Sequence, residues 1–170
     1  MRGDGRERHL ITSDNLMQPI ERLLSKPALT VDVSQTVGDA LALMRDRAYG
    51  SIVVTRDDKV AGIITERDLI CRIIGVVPNF EAMNVAEAMT PNPITLRKED
   101  PVVYVMHNMQ VGGYRHVPVV DEQDRPVSIV SIKDVLRFVL SYFPRDVYNL
   151  TAEPYRGPRG PKPTAKPPAK

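Results

Sequence analysis

Tryptophan is absent from the 170 residues, and aromatic residues make up only 5% of them. A core built from this chain must therefore be aliphatic, with methionine filling irregular gaps; Met83, Met89, Met106 and Met109 read as such filler. The single cysteine, Cys71, excludes an internal disulfide. That suits a reducing compartment, and a cytoplasmic protein is expected. Cys71 lies in an apolar stretch and is expected in the core. No apolar run approaches the roughly 20 residues that span a bilayer, and no apolar signal core follows the charged opening "MRGDGRERHL". No glycine-rich phosphate loop of the Walker or dinucleotide type is present. His9, His107 and His116 lack metal-ligand spacing, and no serine or threonine has a His and Asp at an interpretable spacing. Neither an enzyme nor a required cofactor is expected.

What is present is ordinary in amount, with 42% apolar and 26% charged residues, enough for one globular domain or two small ones. The net charge of +2 conceals an asymmetry. The last twenty residues, "TAEPYRGPRGPKPTAKPPAK", hold six of the fifteen prolines, five Lys or Arg and one acid. Such a segment buries too little apolar surface to offset its chain entropy. Residues 144–170 are expected to be a disordered tail, and residues 1–13 a flexible leader. The tail lacks the interleaved aromatics of a strong nucleic-acid binder, so nucleic acid is not the expected partner.

Between them the chain repeats itself. "GIITERDLICRI" (62–73) returns as "SIVSIKDVLRFV" (128–139), with small, aliphatic, hydroxyl and basic residues mostly in the same columns. Around it each half reads strand, helix, strand, strand, helix. In the first half "ALTVDV" alternates as a strand, and "TVGDALALMRDRA" opens with Thr36 and Asp39 at capping-box spacing. "SIVV", the turn "TRDDK" and "VAGIIT" follow, then a helix over about 66–74. The second half offers "PITL", a helix beginning at Asp100-Pro101, "HVPVV", the turn "DEQDR", "PVSIVS" and a helix through Leu140. The repeat spacing is 65 residues at Ile52 and Val117 but 66 at Asp68 and Asp134, a one-residue slip in a turn. One unit of this size leaves a sheet face uncovered. Two copies can bury those faces on each other about a pseudo-twofold axis, which creates two related clefts. The expectation is an α/β (α+β) fold of two β-α-β-β-α repeats, over 14–77 and 78–143.

The order and spacing of "TVDVSQTVGDALALM", "YGSIVVTRDDKVAGIITERD", "VAEAMTPNPITL" and "YRHVPVVDEQDRPVSIVSIKD" resemble a tandem pair of CBS (cystathionine-β-synthase) domains, often called a Bateman module. The resemblance covers about residues 16–141 and is closest in kind to small stand-alone bacterial CBS proteins. It implies a regulatory module that senses an adenosine-containing ligand, such as AMP, ADP, ATP, S-adenosylmethionine or NAD.

The repeated phrase places Thr65 and Asp68, and Ser131 and Asp134, where a strand ends and a helix begins. Capping alone accounts for both pairs. The resemblance adds a second role, in which the hydroxyls bond phosphate or ribose and each carboxylate accepts from ribose hydroxyls. It groups Arg115 and His116 as phosphate contacts with Ser131, Asp134 and the region of Thr30 in a second cleft. The first cleft takes Thr65 and Asp68 with Pro93, Ile94 and Thr95, and with Gly50 and Ser51 as the uncharged counterparts of Arg115 and His116. Ser128 replaces Gly62 and crowds the second cleft, while Gly112-Gly113 frees the loop before Arg115. Arg115 tilts the ligand toward a nucleotide. The apolar content of "DALALM", "DPVVYVMHNM" and "DVLRFVLSYF" exceeds what one module covers, so a homodimer is expected. A ligand-free adaptor dimer is the alternative, and the sequence does not name the regulated partner protein.

Overall fold

The computed structural model of the protein describes residues 11–143. The flexible leader (apart from its last three residues), His9 and the Pro/Lys-rich tail expected from the sequence lie outside the described residues.

Local chemistry sets each boundary. After α1 (Ser13–Leu16) and a 3-10 turn (Ile20–Leu23), strand β1 (Thr30–Asp32) leads to α2 (Val37–Arg47). Thr36 caps α2 in the expected box: its Oγ1 accepts from Asp39 N at 3.2 Å, and Asp39 Oδ2 accepts from Thr36 N at 2.9 Å. Strands β2 (Ser51–Arg56) and β3 (Lys59–Thr65) form a hairpin whose turn holds Asp57 and Asp58 at φ 51° and 62°, left-handed values that Asp tolerates better than most residues. A single α-turn, α3 (Glu66–Asp68), continues as a π-helical turn (Leu69–Ile73). A 3-10 turn (Phe80–Ala82), α4 (Val85–Ala88) and the short strands β4 (Thr90–Pro91) and β5 (Leu96–Arg97) connect to the second half. There α5 (Val102–Gly112), β6 (His116–Val120), β7 (Pro126–Ser131) and α6 (Ile132–Leu140) repeat the order. Pro101 is the N-cap of α5, one residue before the first helical position expected for it.

The two sheets are related by the repeat. β1 runs parallel to β2 and β2 antiparallel to β3, as β5 runs parallel to β6 and β6 antiparallel to β7. Each sheet is finished by the chain leading into the other repeat. β4 pairs with β3 through Gly62 and Pro91, and Pro27 bridges Ser128 on β7. Proline is tolerated at both places because they are sheet edges. The same exchange builds the cores. Val85 and Ala88 pack with Val37, Ile52, Ile64 and Leu69 of the first repeat. Ile20 and Leu23, from the start of the chain, pack with Val105, Val117, Val130 and Phe138 of the second. Ile20 is fully buried, and a buried Ile of this kind stabilises the fold by about 1.5–3 kcal/mol. The result is a mixed α+β fold of two small sheets, and neither repeat owns its whole core.

One expectation fails outright. Cys71 is exposed. The wider π turn aims Leu69 and Ile73 at the core, both under 5% exposed, and leaves Ile70 and Cys71 on the outside. Leu69 and Ile73 lie four residues apart and share the core face, and Cys71, midway between them, falls on the opposite side whatever its apolar neighbours suggest.

Candidate functional site

The exchange of segments leaves a cleft beside each repeated phrase. The first, about 550 Å³, is lined by Thr65 and Asp68, by the Thr90–Ile94 segment, and by Tyr114, Arg115 and His116. The second, about 350 Å³, is lined by Ser131 and Asp134, by Ser25, Lys26 and Pro27, and by Tyr49, Gly50 and Ser51. Arg115 and His116 line the second cleft as well.

The structure thus brings Thr65 and Asp68 to the first cleft with Pro93 and Ile94, and Ser131 and Asp134 to the second with Arg115 and His116, as grouped from the sequence. Three placements differ. Gly50 and Ser51 lie on the second cleft, not the first, although Ser51 pairs with Thr65 across β2 and β3. Arg115 and His116 serve the first cleft too. Thr30 lines neither cleft; it sits opposite Val53 on β1, beyond Ser25–Pro27, where the chain crosses the second cleft. Thr95 follows Ile94 and is likewise not a lining residue.

The two aspartates are held alike and used differently. Asp68 Oδ2 accepts from Thr65 N at 3.0 Å and from Thr65 Oγ1 at 2.6 Å. Its Oδ1 has Arg72 at only 3.4 Å, and that guanidinium spends a better bond, 2.7 Å, on the Ala88 carbonyl. Asp134 Oδ2 accepts from Ser131 N at 2.9 Å and Ser131 Oγ at 2.6 Å. Its Oδ1 also accepts from Arg137 at 2.8 Å and from Ser25 Oγ at 3.3 Å. Both Asp134 oxygens are committed, and the residue is 8% exposed. Burial pushes the Asp134 carboxyl up, but bonds from the Ser131 hydroxyl, the Ser131 backbone and Arg137 outweigh it and hold it below the usual 3.8. Asp68 keeps an oxygen available; Asp134 does not.

Other side chains sharpen the contrast. Ser128 is buried in the second repeat and donates to the Lys26 carbonyl at 2.7 Å, so it is tied into the floor rather than projecting at a ligand. At the equivalent Gly62 a β-carbon would stand 2.3 Å from Met89 Sδ. Glycine is required there for Met89 to lie across the strand. Lys26 Nζ stands 5.1 Å from the centre of the Tyr49 ring, and both line the second cleft.

His116 is half-buried on β6 opposite Ser131. Burial first, then the Arg115 charge, lowers its pKa below 6.5, and Glu66 and Asp134 offset this in part. Tyr114 was not singled out from the sequence. Its ring folds back over Gly112, where a β-carbon would meet ring carbon Cε1 at 2.0 Å, and Gly113 takes the left-handed φ of 68° that this reversal needs. The Tyr114 hydroxyl is buried with no hydrogen-bond partner among the described residues, and burial raises its pKa. The Gly112-Gly113 pair was the visible signal for it. Ser25–Pro27 could have been found from Pro27 and Pro93, which stand 66 residues apart at equivalent places in the two halves. Among the described residues no group of three or more His, Cys, Asp or Glu could hold a metal, and no helix is long and apolar enough to cross a membrane.

Residues 20–75 and 85–141 each match the CBS domain. Among solved structures, protein ATU1752 of Agrobacterium tumefaciens, a CBS-domain protein, is 32% identical with a TM-score of 0.62, over 71% of this chain and 98% of that one. The CBS domain pair of protein MJ0100, solved in complex with 5'-methylthioadenosine and S-adenosyl-L-methionine, is 26% identical with a TM-score of 0.66, over 75% and 99%. A mitochondrial CBS domain-containing protein of Arabidopsis thaliana, CBSX3, is 33% identical over 122 residues, 69% of this chain and 59% of that protein. In the same plant's CBSCBSPB3, 29% identical, the match spans only 21% of the relative's length. With two successive matches that together cover more than half of its length, the chain belongs to the CBS domain family.

Proposed function

We propose that the chain is a regulatory, non-catalytic module that senses an adenosine-containing ligand, with the first cleft as its principal site. The observation that carries this reading is the state of the Asp68 carboxylate. Oδ2 is fixed by Thr65, so the group is already oriented, while Oδ1 has one weak partner among the described residues and Asp68 lines a 550 Å³ cleft. Such an oxygen accepts a ribose hydroxyl without first breaking a good bond. Ile63, Pro91 and Ile94 give the same cleft apolar walls for a base, and Arg67 and Arg115 give it cations for a phosphate. This favours AMP, ADP or ATP over an uncharged nucleoside. It also moves the emphasis from the second cleft, where Asp134 would have to exchange Arg137 and Ser25 for the ligand. The adenosyl compounds bound by the MJ0100 pair support the ligand class.

The module is further proposed to work as a homodimer. Tyr104 and Val111 on α5, and Ile132 and Leu136 on α6, are 53%, 73%, 44% and 56% exposed, an apolar face that a second copy would cover.

Titration calorimetry of the full chain with AMP, ATP, S-adenosylmethionine and 5'-methylthioadenosine tests the reading. At least one compound is expected to bind, with affinity falling about tenfold to hundredfold in Asp68→Asn. If none binds, the repeated phrase is a helix cap in a ligand-free adaptor and the sensor reading is wrong.

A further inference from the structure

Building on that reading, we infer that the two clefts compete for one guanidinium, so that a phosphorylated ligand in either weakens binding in the other. Arg115 lines both clefts. It stands at the start of β6, is exposed, and forms no ion pair among the described residues. The repeat supplies no second copy: the equivalent position is Gly50, which lines only the second of the two clefts. The symmetry that duplicates the aspartates does not duplicate this cation.

No other lysine or arginine lines both clefts. Without Arg115 the first cleft is lined by one cation, Arg67, and one acid, Asp68. The second has Lys26, Lys133 and Arg137 against Glu66 and Asp134, and Arg137 is already bound to Asp134 at 2.8 Å. A planar guanidinium grips one phosphate bidentately. A first anionic ligand that takes Arg115 leaves the second without that grip, and with a second anion nearby. The coupling is reciprocal, whichever cleft fills first. It depends on ligand charge, so an uncharged adenosyl compound does not experience it. Losing one charge-assisted contact weakens the second binding step by about tenfold to hundredfold.

Calorimetry with AMP on the full chain, on Asp68→Asn and on Arg115→Ala, each repeated with uncharged 5'-methylthioadenosine, reads this directly. Arg115→Ala keeps the backbone carbonyl that accepts from Ile132 N at 2.9 Å, so the helix start survives. In Asp68→Asn, where the first cleft is disabled, the second cleft is expected to bind AMP about tenfold to hundredfold more tightly than it does in the unaltered chain with its first cleft filled. In the Arg115→Ala background, read by adding Asp68→Asn to it, that difference vanishes, and with 5'-methylthioadenosine it is absent throughout. Equal second-cleft affinity for AMP in the unaltered and Asp68→Asn chains overturns the competition and leaves the sensor reading intact. So does an Asp68→Asn chain that binds no AMP, because the second cleft is then no site. Failure of every adenosine compound to bind the unaltered chain overturns both.

Discussion

Replacing each repeated aspartate by asparagine separates capping from ligand binding, because the two carboxylates differ in how much of each they do. An asparagine at 134 must place its NH2 either at Oδ2, against the Ser131 N–H, or at Oδ1, against the Arg137 guanidinium. Either choice sets donor against donor in a residue only 8% exposed. The weakened cap costs about 1 kcal/mol. The Arg137 pair adds little, about 0.5 kcal/mol at most, because the arginine side chain is 61% exposed and screened by solvent. Asp134→Asn is therefore expected to cost about 1–2 kcal/mol, a fall in Tm of roughly 3–8 °C for a domain of this size. At 68 the amide turns its NH2 toward Oδ1, where Arg72 stands 3.4 Å away and can withdraw to its bond with Ala88. That change costs about 1 kcal/mol or less.

Binding should run the other way. Asp68→Asn removes the oriented, available acceptor of the first cleft and lowers AMP affinity there by about tenfold to hundredfold. Asp134→Asn leaves the first cleft within about threefold, since Asp134 is not among its lining residues. Scanning calorimetry and titration calorimetry on the three chains give both numbers. A tenfold loss of first-step affinity in Asp134→Asn, with Asp68→Asn unaffected, would refute the argument that carboxylate occupancy decides which cleft is used.

Two further outcomes are expected. His116 has a folded pKa below 6.5, so on acidification the unfolded chain takes up its proton first. Stability should fall as pH drops below 6.5 and level off below the folded pKa, and His116→Asn should flatten that decline in denaturant melts at pH 7.5 and 5.5. An equal decline in both chains would exclude His116 as its source. Light scattering at micromolar concentration should give twice the 19.0 kDa chain mass, and Leu136→Asp should shift it toward monomer; a monomeric unaltered chain removes the dimer proposal.

Much of the fold was legible because its signals are local. Alternation marked the strands, Thr36 and Asp39 marked a helix start, and one phrase written twice marked the symmetry. What the sequence hid is what the dyad does to those pieces. Ile20 and Leu23 precede the first repeat's strands yet belong to the second core, and no periodicity within residues 13–24 carries that information. The same exchange decides which segment crosses which cleft. Thr30 looked like the second cleft's contributor from its own strand, whereas Ser25–Pro27, held at the edge of β7 by the Pro27–Ser128 bridge, are the residues that reach it. Cys71 was misplaced for a different reason. Its neighbours are mostly apolar, but Leu69 and Ile73, four residues apart, take the core face, and the residue midway between them falls on the opposite side of the turn.

The exchange also limits how a bound ligand can act. Thr65 and Asp68 belong to the first repeat, while Tyr114 and Arg115 belong to the second, and both pairs line one cleft. A ligand held by both therefore ties the start of β6 to the end of β3. Tyr114 connects that cleft to a neighbouring hollow between α5 and α6, lined by Met109, Ile132 and Val135, next to the exposed apolar face. A ligand shifts a conformational equilibrium only by its differential affinity for the two states. The contacts able to differ here are the ones across the repeats, because Thr65 and Asp68 are fixed to each other by their own cap whatever the ligand does. Signal transmission should therefore be lost with Arg115 or Tyr114 before it is lost with Thr65. Tyr114→Phe, which keeps the ring over Gly112 and removes only the unpartnered hydroxyl, tests whether that group reports occupancy of the first cleft. AMP should alter hydrogen exchange at α5 and α6 in the unaltered chain and do so less in the variant. An equal response in both would mean that the route runs through the backbone of β6 instead.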